Sequence, residues 1–114
     1  MNPADFLIVT IIVDGEAHAI RLAEVLVEER LAASVQVPPP HESYRMMETG
    51  GMAVYREWAV RAVTVASRFD QLSERAGRMT GIVMPGITAA PLTVVHPKFE
   101  GWLQQVMSAC TESG

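Results

Sequence analysis

The sequence contains a single cysteine, Cys110, close to its C-terminus. An internal disulfide is therefore excluded, and so is a thiolate cluster built by one chain. Positive charge is in short supply. Nine Lys and Arg stand against thirteen Asp and Glu, a net charge of −4, whereas a nucleic-acid footprint needs a basic patch. The charges are interspersed, with no block that reads as a tail. Long apolar runs are missing as well. The run Phe6–Val13 is far shorter than the roughly 20 residues of a membrane span. It follows Asp5 without a basic leader or a cleavage-like site, so no targeting segment is read and the expected compartment is the cytoplasm. No nucleophile–base pair, coupled carboxylate pair or phosphate-cradling glycine motif is present, and Gly50-Gly51 reads as a turn. The expectation is a protein without enzymatic activity.

What is present suits one globular domain over residues 1–114. Apolar residues make up 49% and charged residues 19% of the 114, a composition that folds rather than stays disordered. The β-branched run Phe6–Val13 lacks period-two alternation and predicts a strand covered on both faces. Asp14 is placed as an N-cap. A helix is expected over about Gly15 to Ala33, with Ile20, Ala23, Leu26, Val27 and Leu31 on its core side and Arg21, Glu24, Glu28 and Glu29 opposite.

Ser34–Val37 predicts a short strand stopped by Pro38-Pro39-Pro40. His41–Met47 and Met52–Val65 then predict the arms of a hairpin around Gly50-Gly51. In the second arm Trp58, Val60 and Ala62 share a face that should pack on helices. Glu57, Ala59 and Arg61 share the other, too mixed for open solvent and suited to a neighbouring subunit. Ser67 and Asp70 fit a capping-box variant ahead of a helix with Phe69, Leu72, Ala76 and Met79 inward. Residues 80–91 predict a loop with at most a broken strand, and Leu92–Val95 a strand. Pro97 opens a last helix with Phe99, Trp102, Leu103, Val106 and Cys110 on its buried side. The order β-α-β-β-α-β plus a C-terminal helix is an α+β ferredoxin-like sandwich. Its uncovered sheet face and long apolar hairpin predict self-association.

Leu31-Ala32-Ala33-Ser34-Val35 resembles the Leu-Ala-Ala-Cys-Val junction of the CutA family, the divalent-cation tolerance proteins. Ser43-Tyr44-Arg45, Arg56–Thr64 followed by Phe69 and Leu72, Pro85–Leu92, and Phe99 with Trp102-Leu103 are similar to further motifs of that family, in the same order over about residues 6–104. The resemblance implies a homotrimer built by hairpin strands, no enzymatic activity, and a role in tolerance of divalent cations, copper above all. The departures fall on metal-type residues. Ser34 stands for the family Cys and is no soft thiolate. Thr80-Gly81-Ile82-Val83 stands for His-Pro-Tyr-Glu, Gly86 for a Glu and Val63 for a Lys. The expectation is a divergent member that keeps the scaffold with its metal-type residues largely replaced.

Candidate site residues follow from the hairpin. His41, Tyr44, Tyr55 and Arg61 would form an aromatic wall with a cation in a cleft between subunits, suited to an anionic small molecule. Met46, Met47 and Met52 read first as adaptable packing at a subunit contact, and their thioethers are the one soft-ligand set that would suit Cu(I). His18 reads as a surface histidine and His96 as a neighbour of a helix N-cap. Cys110 reads as a small buried hydrophobe. No two histidines have the i, i+4 spacing of a helical metal site. Two other readings stand beside the metal-tolerance one. PII-type regulators share a trimeric ferredoxin-like architecture and bind nucleotides between subunits, with a flexible loop where this chain has residues 38–52. A purely structural or interaction trimer is the third.

Overall fold

The structure, a computed structural model, describes residues 5–112, with the side chains of residues 84–85 and 109–112 outside the description. In chain order it has β1 (Phe6–Val13), α1 (Glu16–Glu28), β2 (Ser34–Gln36), β3 (His41–Met46), β4 (Met52–Val65), α2 (Phe69–Gly77), β5 (Ile82–Pro91) and α3 (Pro97–Glu112). The sheet runs β2-β4-β1-β5, antiparallel throughout, and β3 pairs with the far part of β4. This is the expected ferredoxin-like order. The proline triplet separates β2 from β3, and both lie along the same partner strand. A strand as long as β4 spans roughly 46 Å, close to the 47 Å long dimension of the molecule.

The sheet has two unlike faces. Val9, Ile11 and Val13 of β1 lie beside their register partners Ala62, Val60 and Trp58 of β4. Ala19, Leu22 and Leu26 of α1 and Leu72 and Ala76 of α2 close over them, all fully buried. Each such leucine contributes about 1.5–3 kcal/mol by leaving water. On the other face Phe6 and Val65 are covered by Leu103 and Met107 of α3. Farther along that face Ile8, Thr10 and Ile12 and their partners Val63 and Ala59 are only half covered, and Arg61 is exposed.

Several expectations are corrected. α1 stops at Glu28. Arg30 adopts a left-handed φ of 59°, and the amides of Leu31 and Ala32 turn back onto the Leu26 carbonyl at 2.9 and 3.2 Å. The reversal drops Leu31 and Ala32 into the core. Including Leu31 in the helical stripe rotated the expected face. The buried positions are Ala19, Leu22, Val25 and Leu26, whereas Ile20 and Val27 are 46% and 45% exposed. Gly15, not Asp14, is the N-cap, because the Asp14 carboxylate is taken by His18 Nδ1 at 3.0 Å. Ser67 lies within a 3₁₀ turn, Ala66–Arg68, and does not cap α2.

The final strand is Ile82–Pro91, not Leu92–Val95. It is an edge strand paired only with β1, where proline is tolerated. Its register against β1 slips between Ile11 and Val13, and residues 83–86 take up the irregularity. On α3, Leu103 and Met107 are buried, but Phe99 and Trp102 are 37% and 42% exposed. Cys110 lies outside the described side chains.

Candidate functional site

Side chains alternate across a strand, so hairpin register decides which groups meet. The turn is closed by Met47 N–H donating to the Gly51 carbonyl at 2.9 Å. It uses positive φ at Gly50 and Gly51, 93° and 86°. The pairs His41↔Glu57, Ser43↔Tyr55 and Arg45↔Ala53 put His41, Ser43, Arg45, Tyr55 and Glu57 on one face.

Glu57 is the centre of that face and is only 3% exposed. Arg45 donates from both terminal nitrogens, Nη1 to Oε1 at 2.9 Å and Nη2 to Oε2 at 2.8 Å. Ser43 Oγ donates to Oε1 at 2.5 Å. His41 Nε2 lies 3.6 Å from Oε1, beyond hydrogen-bond reach. The Arg45 guanidinium also stacks on the Tyr55 ring, 4.3 Å from its centroid. The Arg45 hydrogen bonds hold the Glu57 carboxyl below the usual carboxylate range. Burial opposes that shift, and the Ser43 hydroxyl with the Arg45 and His41 charges supports it. The same pairing raises Arg45. A carboxylate bound on both oxygens is neither a free base nor a free ligand. The cluster acts as a clamp that fixes one hairpin arm against the other.

The candidate cleft residues are thus divided. His41, Tyr55 and Arg61 share the face of Glu57, with Arg61 four positions along β4, roughly 13 Å away by strand rise. Tyr44 does not join them. It pairs with Val54 on the opposite face and is 64% exposed. Met46 and Met52 are register partners on Tyr44's face, 79% and 64% exposed. Met47 lies in the turn. Tyr44, Met46, Met52 and Val54 make an exposed apolar strip of the kind that marks an interaction surface. A cavity of about 380 Å³ at the tip is lined by Arg45, Met46, Met47, Glu48, Thr49 and Tyr55. Sequence reasoning missed Glu57 as the centre, and it read Ser43 and Arg45 only as parts of a family motif. Their odd-numbered alternation opposite Glu57, counted outward from Gly50-Gly51, was the usable signal.

The fit to a divalent metal is poor. Among the described residues no three His, Cys, Asp or Glu side chains converge, whereas a zinc-type site takes three or four. The pairs His18–Asp14 and His41–Glu57 supply two groups each, and Glu57 is already committed to Arg45. Ser34 pairs with Val63 in the β2–β4 ladder, and neither side chain is a soft donor. No helix among the described residues is long and apolar enough to cross a membrane.

Comparison with known proteins agrees with the fold and its element order. A family model for the CutA1 divalent ion tolerance protein matches residues 7–106. The divalent-cation tolerance protein CutA of Thermus thermophilus is 32% identical over 99 residues, spanning 86% of this chain and 94% of that one. The solved structure of the T. thermophilus divalent cation tolerance protein superposes with a TM-score of 0.79 at 31% identity, covering 88% of this chain and 96% of that one. The structure of CutA from Archaeoglobus fulgidus, described as a periplasmic divalent cation tolerance protein, gives 0.82 at 24% identity over 90% and 98% of the two chains.

Proposed function

The chain belongs to the CutA1 divalent ion tolerance family, and on that premise we propose that it works as a non-enzymatic homotrimer whose contribution to cation tolerance is made by the assembly, with no complete chelating site among the described residues of one chain. The observation that carries this reading is the hairpin. It projects beyond the helix-covered body and bears the apolar strip Tyr44, Met46, Met52 and Val54, while the sheet face from Ile8 to Ile12 is left half covered. Isolated hairpins are marginal in water, so a second chain laid along this one would bury both surfaces. The Arg45–Glu57 clamp keeps the arm straight for that contact. Static light scattering tests the reading: three times the 12.5 kDa chain mass is expected at micromolar concentration.

The metal chemistry that the residues support is soft and is located at the tip. Thioethers are donors for Cu(I) rather than Zn(II), and three symmetry-related copies of Met46, Met47 and Met52 would multiply them. The regulator reading receives less support. On the Glu57 face the basic side chains are Arg45, His41 and Arg61. Arg45 is engaged, which leaves no cradle for a polyphosphate. A cytoplasmic location is supported by the fate of Phe6–Val13. This apolar stretch is a central strand of the sheet and cannot be removed as a targeting segment without loss of the fold. Cell fractionation tests this, since the A. fulgidus relative is described as periplasmic.

A further inference from the structure

A second site lies away from the hairpin, where α1 meets the C-terminal end of α2. We propose that the groove there binds a small organic anion, a carboxylate or a phosphate monoester carried on a compact apolar group. His18, Arg21 and Val25 of α1 share a helical face at i, i+3 and i+7. Arg75 of α2, with Arg78, Met79 and Thr80 just beyond it, closes the other side around a cavity of about 450 Å³. That volume lies in the range of small-molecule pockets, roughly 300–1,000 Å³. The floor is apolar, made by Val25, 2% exposed, and by Met79, which packs on the main core. The rim is basic.

The acids around the groove offset part of that rim and leave Arg21 uncompensated. Glu29 is committed to Arg75 through both oxygens, at 2.9 and 3.0 Å. Asp14 is committed to His18 Nδ1 at 3.0 Å. Glu74 reaches Arg78 only at 3.5 Å, and both side chains are exposed, so that pair is a loose one. Arg21 acts on Glu29 through charge alone, and among the described residues it donates no hydrogen bond. Arg21 is therefore free to turn inward from one wall, and Arg78 on the other can exchange its loose contact with Glu74 for a ligand. Their planar forks match the paired oxygens of a carboxylate or phosphate, and an apolar body fits the floor beneath.

The position of His18 depends on Gly81. Gly81 has a φ of +87°, and a Cβ there would lie 2.1 Å from His18 Nδ1. Glycine lets the imidazole lie against the backbone as one end wall. Any other residue would push the ring out of place.

The test is an amide NMR titration of the full-length protein with phenyl phosphate, benzoate and inorganic phosphate in separate arms. Phenyl phosphate or benzoate is expected to shift the signals of residues 18–25 and 75–81 saturably, with a dissociation constant of about 1 mM or below. Whichever of the two binds more tightly identifies the anion. Arg21→Gln combined with Arg78→Gln should weaken binding by about tenfold or more, the scale of lost charge-assisted hydrogen bonds. Both positions are exposed, so the variant keeps its fold, which its own spectrum checks. Lys98→Gln on α3 should leave binding unchanged. No saturable shift in these segments up to about 10 mM of either organic anion, or binding undiminished in the double variant, overturns the proposal. Inorganic phosphate binding as tightly as phenyl phosphate overturns the apolar-body requirement.

Discussion

Arg45 holds Glu57 through both guanidinium nitrogens, at 2.9 and 2.8 Å, from a different strand and twelve residues away. The pair ties the two hairpin arms together at a point where Glu57 is almost fully buried. A neutral amide keeps the shape and loses the charge assistance. Glu57→Gln should cost about 1–2 kcal/mol in denaturant unfolding. Arg45→Ala should cost more than Glu57→Gln, because it strands a buried carboxylate with only Ser43 as a close partner. The double variant should lose less than the sum of the two singles.

The same pair sets a pH dependence. Arg45 holds Glu57 below the usual carboxylate range, so its contribution is present above the ordinary glutamate value of roughly 4.3 and is lost as pH falls through the lower, folded value. Unfolding midpoints measured from pH 7 downward should hold steady for this group until about pH 5 and then decline. Glu29 is shifted in the same direction by Arg75, so some slope remains in any variant. Glu57→Gln should show a shallower acid slope than wild type, and equal slopes would remove Glu57 from the account.

Gly81→Ala should destabilise by about 1–2 kcal/mol, the usual cost of a side chain held at positive φ, with a further penalty from His18. Truncating His18 to alanine clears the collision. Gly81→Ala with His18→Ala should therefore be more stable than the sum of the two single changes predicts, in a double-mutant cycle read by thermal melting.

Strands β1 to β4, the hairpin and the last helix were legible in the sequence because their signals are local. Phe6–Val13 is a β-branched run, Gly50-Gly51 supplies the positive φ its turn uses, and Pro97 begins α3 where expected. Three things were not legible. Leu31 continues the helical period of α1 but reaches the core through the left-handed Arg30, so periodicity ran past the true end and rotated the stripe. β5 carries Pro85, Gly86 and Pro91, which argue against a strand unless its edge position and slipped register are known. Glu57 reads only as one member of a mixed face suited to a neighbouring subunit, because the groups that bury it within the chain are twelve and fourteen residues away. The candidate cleft is divided for the same reason. His41 and Tyr55 share a face of the hairpin, but Tyr44 faces the other way.

Metal titration separates the soft tip from an ordinary divalent site. Zn(II) should give no micromolar binding, since among the described residues no set of three ligands converges. Cu(I), delivered from a competing chelator, should bind, and Met46→Leu, Met47→Leu and Met52→Leu together should abolish it with little change in fold, because all three are exposed. Cu(I) binding that survives the triple variant would show that the donors lie elsewhere.

Assembly through the hairpin is the central claim, and static light scattering on the wild type and on Met52→Lys with Val54→Glu tests it most directly. The wild type should have three times the 12.5 kDa chain mass. The double variant, charged on the apolar strip but unchanged at the Arg45–Glu57 clamp, should fall to the mass of one chain with its circular dichroism retained. A wild-type protein with the mass of one chain at micromolar concentration would contradict the account.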